Sequence, residues 1–213
     1  MSIRIKICGL RTPDDARAAA VNGATDIGLV FFPKSPRHLS FAAAAAVAAA
    51  APPGIRRVAL TVDPTDDDLT ALLQAVPVDL LQLHGHESTA RVAAIRAAHG
   101  VPVMKAVGIA SVADLDALSA YMAVSDAVLV DAKPPADGDL PGGNGLSFDW
   151  RLLVGRTWPV PWMLAGGLRP DNVAEAIRLT GAPGVDVSSG VESAQGVKDA
   201  TLIADFCAAV RSA

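Results

Sequence analysis

Apolar and polar residues alternate strictly at the start of the chain. Ile3, Ile5 and Ile7 fall on one face, Arg4, Lys6 and Cys8 on the other, and the run stops at Gly9. A period of two predicts a β-strand over residues 3–8. Seven further short runs, over residues 26–31, 57–62, 80–84, 103–107, 127–131, 162–165 and 184–187, are apolar and rich in β-branched residues. Strands covered on both faces read in this way. Helix signals stand between them. Thr12-Pro13-Asp14-Asp15 combines an N-cap, a proline at the first helical position and acids that suit the helix dipole. Thr65 before Asp66, Asp67 and Asp68 repeats the device, and Ser111 with Asp114 has the spacing of a capping box. Ser40 caps an almost pure alanine run over residues 41–51, which is too short to span a bilayer.

Regular strand–helix alternation calls for parallel strands joined by right-handed crossovers. Eight such units in one domain, residues 1–213, predict a closed (β/α)8 or TIM barrel near the short limit of that fold. An open doubly wound sheet competes. Its glycine fingerprint is missing, because the first strand is followed by Gly9-Leu-Arg-Thr-Pro13. The Pro- and Gly-rich stretch 133–145 follows the sixth strand and is expected to be a long loop at the catalytic face.

Composition narrows the partners. The chain of 213 residues is 51% apolar but only 4% aromatic, so its core must be built from Ala, Val, Leu and Ile. A net charge of −4 gives no general attraction to nucleic acid or to an anionic membrane. An anionic substrate must then be held by local groups. No secretory signal is visible, and Cys8 and Cys207 provide neither a disulfide framework nor metal-ligand spacing. The expectation is a cytoplasmic protein that acts on a small molecule, without nucleic-acid or membrane partners.

Barrels of this kind keep their active sites at the carboxyl ends of the strands. Strand ends in order bring Cys8, then Lys34, Ser35 and Arg37, then His84 and Asp131. A free cysteine is usually an inert core residue, and only its position argues otherwise for Cys8. Asp131 ends an otherwise apolar strand. It either bonds amides of the next loop or serves as a carboxyl whose burial raises its pKa and suits it to proton donation. His84 is either a neutral site residue or a satisfied structural histidine. His86 and Glu87 lack a third ligand nearby, so no metal is expected. Arg37 sits on a proline-stiffened loop suited to a bidentate carboxylate contact. Gly142-Gly143-Asn144-Gly145, Gly166-Gly167 and Ser188-Ser189-Gly190 occupy loops six, seven and eight. The last two loops are where these barrels bind phosphate. The expected ligand carries a phosphate, a sugar-like body and a carboxylate facing Arg37.

Lys6-Ile-Cys-Gly9, Ser35-Pro-Arg37, Gln82-Leu-His-Gly85, Asp131, the segment from Gly142 to Trp150, Leu164-Ala-Gly-Gly-Leu168 and the segment from Val185 to Glu192 occur in this order from end to end. Together they resemble the phosphoribosylanthranilate isomerase family of tryptophan biosynthesis. Loop six departs, being proline-rich and acidic from Lys133 to Pro141. The resemblance implies an aldose–ketose isomerase that performs an Amadori rearrangement without a cofactor. It implies Asp131 as general acid, Cys8 as general base and Arg37 as the holder of the anthranilate carboxylate. His84, Gly145, Gly166, Gly167, Ser189 and Gly190 would complete the substrate site, in a monomer or homodimer. A related barrel isomerase of the histidine pathway, ProFAR isomerase, resembles two fused half-barrels with an acid ending strand one, where this chain has Cys8. A non-catalytic sugar-phosphate-binding barrel would not need both Cys8 and Asp131. A base must ionise, so the site is expected to lower the thiol pKa. Lys6, one pleat below Cys8, and Asp186, on the strand that neighbours strand one in a closed barrel, are expected to pair inside it, because an unpaired interior charge is costly.

Overall fold

The first and last barrel strands meet in parallel register, with Arg4 beside Gly184 and Lys6 beside Asp186, and this seam closes the sheet. The computed structural model describes residues 3–133 and 142–213. Eight parallel strands form the barrel: β1 (Arg4–Cys8), β2 (Asp26–Phe31), β3 (Arg56–Thr61), β4 (Leu80–Leu83), β5 (Val103–Ile109), β6 (Ala127–Ala132), β7 (Trp162–Leu164) and β8 (Gly184–Val187). The expected strands agree to within two residues at each end. Helices α1 (Pro13–Val21), α2 (Phe41–Ala50), α3 (Asp66–Ala75), α4 (Thr89–His99) and α5 (Asp114–Met122) follow the first five strands. α6 (Val173–Thr180) follows β7, and α7 (Ala200–Arg211) ends the chain.

The caps work largely as their residue types dictate. Thr12 and Thr65 each form a capping box with the aspartate three residues on, and Ser40 accepts from the Ala43 amide. Ser111 is a partial exception. The Asp114 carboxylate accepts from the Ser111 amide, but the Ser111 hydroxyl donates to that same carboxylate and caps no amide, and α5 begins at Asp114. The sixth crossover also differs from a regular strand–helix unit. Among its described residues it holds only a four-residue 3-10 turn, Trp150–Leu153. Glycines at 142, 143, 145 and 155 and prolines at 159 and 161 confine any helix there to residues 146–154. Residues 134–141 of the predicted loop lie outside the described residues. Beyond β8 the chain adds an unforeseen hairpin, β9 (Glu192–Ala194) with β10 (Val197–Lys198).

The apolar core is divided in two. Val58, Leu80, Met104, Ala106, Leu129, Met163 and Ala165 fill the barrel interior as one cluster, and a larger cluster lies between the sheet and the helices. The amino-terminal mouth is closed by polar groups. Asp26, fully buried, accepts from Arg4 at 2.9 Å, from the Thr25 hydroxyl at 2.6 Å and from Arg56. Behind β4 and β5, Lys105 donates to the Gly85 carbonyl at 2.7 Å and to Glu87 at 2.8 Å, and its ammonium lies over the Tyr121 ring. Glu87 in turn accepts from the Asp63 and Gly85 amides. This buried pair sets the loop that follows His84 and engages the acid that a metal site would have needed.

Asp26→Ala leaves two partly solvated arginines without their acceptor and is expected to cost about 1–3 kcal/mol. A lower urea midpoint at unchanged m, with turnover retained because the cluster lies at the far mouth, is the outcome to look for.

Candidate active site

Strand polarity places Cys8, at the carboxyl end of β1, on the rim of an open cavity of about 790 Å³ that also receives His84, Asp131, Arg37 and Asp186. The thiol is buried, and the strand beside it is cut back to admit it. A Cβ at Gly28 of β2 would lie 2.7 Å from the Cys8 sulfur. Gly28 is thus a site residue by what it lacks. A glycine inside a strand was the available signal, since it marks close approach.

Beneath the thiol, Lys6 donates to Asp186 at 2.8 Å, both side chains buried, as the closed barrel predicts. Burial alone would pull the Lys6 pKa down, but Asp186 and then Cys8 hold the ammonium above the usual lysine range. The expected lowering of the thiol pKa is not found. Burial pushes Cys8 up, Asp186 adds to the rise, and the opposing pull of Lys6 and Lys198 does not overcome it. The reason is first the complete burial of the thiol, and second that the cation under the sulfur is already bound to an anion, which takes back part of its pull.

Asp131 faces Cys8's cavity from β6. Its Oδ1 accepts from the Ala132 amide at 2.8 Å, the local amide contact open to an aspartate at a strand end, while Oδ2 lies 3.3 Å from His84 Nε2. His84 Nδ1 is 3.0 Å from the amide nitrogen of Gln82, a fully buried residue two positions back on β4. The Gln82 side-chain amide thus fixes the plane of the ring from behind and leaves Nε2 directed at Asp131. His84 therefore backs the acid as well as lining the cavity. Gly142 closes over this pair: a Cβ there would lie 2.7 Å from His84 Nε2 and 2.9 Å from Asp131 Oδ2.

Arg37 is almost fully buried, and its stem crosses Gly9, the residue after the thiol. A Cβ at Gly9 would fall 2.5 Å from Arg37 Cδ, and φ there is +78°. The guanidinium forms the two-pronged carboxylate contact expected of it, but with a carboxylate of the protein. Nε and Nη2 donate to Glu192 at 2.7 and 2.9 Å. Nη2 also reaches the Gly143 carbonyl at 3.3 Å. Ser35 lines the cavity and Lys34 does not; Lys34 is exposed to solvent. Glu192 and Lys198 complete the Arg37 cluster; Glu192 ends the Val185–Glu192 segment without a role having been read for it, and Lys198 had no local signal in the sequence.

Loops seven and eight interlock at the same mouth. Gly166 and Gly167 have φ of +83° and +65°, and Cβ atoms there would strike the Ala132 amide and the Leu146 carbonyl. A Cβ on Gly190 would lie 2.0 Å from the Leu168 carbonyl. Ser188, Ser189 and Gly145 line the cavity beside them.

A parallel barrel with a thiol, a carboxyl and a guanidinium converging where its strands end defines an enzyme of the (β/α)8 class. The profile of the N-(5'-phosphoribosyl)anthranilate (PRA) isomerase family matches residues 5–209, and the chain belongs to that family. The N-(5'-phosphoribosyl)anthranilate isomerase of Cereibacter sphaeroides is 61% identical over 209 residues, covering 98% of this chain and 99% of the relative. That of Paracoccus denitrificans is 59% identical over 208 residues, covering 98% and 97%. The solved phosphoribosyl anthranilate isomerase of Thermotoga maritima superposes with a TM-score of 0.89 at 32% identity, covering 99% of this chain and 100% of that one. A further solved isomerase, in complex with reduced 1-(o-carboxyphenylamino)-1-deoxyribulose 5-phosphate, has a TM-score of 0.84 at 30% identity with the same coverage.

The thiol chemistry is checkable without substrate. In Cys207→Ser protein, the alkylation of Cys8 by iodoacetamide should rise with pH about a midpoint above that of a free thiol, because burial disfavours the thiolate. A midpoint at or below the free-thiol value would contradict the electrostatic account.

Proposed function

We infer that the protein converts N-(5-phosphoribosyl)anthranilate to 1-(2-carboxyphenylamino)-1-deoxyribulose 5-phosphate, the third step from chorismate to tryptophan. The observation that carries the reading is the sharing of one cavity by Cys8 and Asp131, lined as well by Arg37 and by the glycine loops seven and eight. In this reading Asp131 protonates the furanose ring oxygen, the C1–O bond breaks, and the anilino nitrogen supplies the electron pair that forms a protonated Schiff base. Cys8 removes the proton from C2 to give the enol-amine. Protonation of C1 and loss of the enol proton then yield the ketone, so protons move but no redox partner is needed. The substrate's own nitrogen is the electron sink, and no cofactor is called for.

The two proton-transfer groups start from environments that suit these roles once the substrate is bound. The carboxylate left on Asp131 is received by the Ala132 amide at 2.8 Å and faces His84 Nε2 at 3.3 Å. Cys8 begins as a thiol. The cationic Schiff base beside C2 supplies the positive charge that Lys6, already bound to Asp186, does not. Arg37 receives the anthranilate carboxylate, while Gly166, Gly167, Ser189 and Gly190 cradle the phosphate with backbone and hydroxyl donors. Gly145 and His84 line the sugar between them.

None of the helices among the described residues is long and apolar enough to cross a membrane. We place the reaction in the cytoplasm on the ground of its pathway, with the protein as a monomer or homodimer and with no nucleic-acid or membrane partner.

Loss of fluorescence of freshly prepared phosphoribosylanthranilate follows the reaction directly. Cys8→Ala and Asp131→Asn should each lower kcat by about two to four orders of magnitude with little change in KM, as lost proton transfer does. Near-normal turnover in either variant removes that residue's assigned role. Arg37→Ala should act chiefly on KM, and a defect confined to kcat would contradict its part as carboxylate holder.

A further inference from the structure

Three charged side chains, Arg37, Glu192 and Lys198, keep no more than 5% of their side-chain surface in contact with solvent. Buried ion clusters of this kind are poor sources of stability, since apolar replacements often do as well. Their positions say more. Glu192 accepts four bonds: Nε and Nη2 of Arg37, the Lys198 ammonium at 2.8 Å and the Gly196 amide at 3.1 Å. Burial would push its carboxyl up, but Arg37 and Lys198 outweigh this and hold it at about 2, so it is charged at any working pH. Lys198 also donates to the Ser188 carbonyl at 2.9 Å, at the start of loop eight.

We propose that Glu192 is a positioning residue for substrate selection: it occupies the Nε–Nη2 edge of Arg37, presents the Nη1 end to the ligand's carboxylate, and ties that contact through Lys198 to the loop beneath the phosphate. The proposal rests on the isomerase reading. A guanidinium offers its donors in a rigid planar fork, so fixing one edge fixes the other. With Nε and Nη2 engaged by Glu192 and Nη2 shared with the Gly143 carbonyl, among the described residues Nη1 is the end left for a ligand. It lies at the Gly143 backbone, where a Cβ would come within 2.7 Å of it. The stem of Arg37 rests on Gly9, so the same contact also fixes the height of the ligand's ring above Cys8. The net charge of the cluster stays at one positive unit, because Lys198 offsets what Glu192 removes.

The test uses two ligands: reduced 1-(o-carboxyphenylamino)-1-deoxyribulose 5-phosphate and the same compound without the ring carboxyl, titrated calorimetrically. Glu192→Gln, which keeps the shape but not the charge, should weaken the carboxylated ligand by about tenfold or more. The ligand without the carboxyl should stay within about twofold of its wild-type affinity, and kcat at saturation should change only a few-fold. Equal losses on both ligands would mark a merely structural residue, and no loss on either would mark a bystander; each overturns the proposal. Should Glu192→Gln not fold, Glu192→Asp, drawn back by one methylene, is read on the same pair of ligands and by the same criteria. Failure of the wild-type protein to bind the carboxylated ligand or to turn over substrate would instead refute the isomerase reading.

Discussion

A lysine cannot stand alone inside an apolar barrel. The pairing of Lys6 with Asp186 is the constraint on which the rest of the site depends, because it joins the first strand to the last at the level just below the reacting groups. Above it, Cys8 is held at a fixed height by a strand that cannot slip without burying an unpaired charge. A shift of one residue would also turn Lys6 toward the helices and an isoleucine toward the cavity. The interaction secures register and depth more than it adds net stability, since desolvation offsets much of the attraction between buried ions.

That pairing has an electrostatic consequence at the thiol. An ammonium beneath a cysteine should favour the thiolate, yet burial prevails and the partner anion opposes its pull. The resting site therefore stores a neutral thiol, and a reactive anion is not exposed to solvent or oxidants between turnovers. Asp131, by contrast, has the Ala132 amide at 2.8 Å on one oxygen and His84 Nε2 at 3.3 Å from the other.

Much of this was legible in the chain. Eight strands could be read because each is a short apolar run set between strong helix caps, and closure into a barrel then made the Lys6–Asp186 contact a matter of adjacency. The sixth crossover was less regular than the others because its glycines and prolines act against helix formation. The hairpin of β9 and β10 was invisible, since two- and three-residue strands carry no period. Gly28 could have been noticed as a glycine inside a strand. Glu192 and Lys198 could not, because what defines them is an arginine more than 150 positions away along the chain, at a sequence separation of 155 in the case of Glu192. The direction of the Cys8 shift turns on how completely the thiol is buried, which the sequence does not display even where it names both charged neighbours.

The divided core has a consequence for how such a chain can change. The cluster inside the barrel reaches the cavity lining at Ala165, while the larger one beneath the helices contributes only Leu168 and Val187 of its buried members to it. Helix residues can thus be exchanged, alanine for bulkier groups or the reverse, with the strain absorbed as small rigid shifts of whole helices over the sheet. The chemistry is insulated from drift in its own scaffold. A solved relative that keeps only 32% of these residues still follows the same path through space at a TM-score of 0.89.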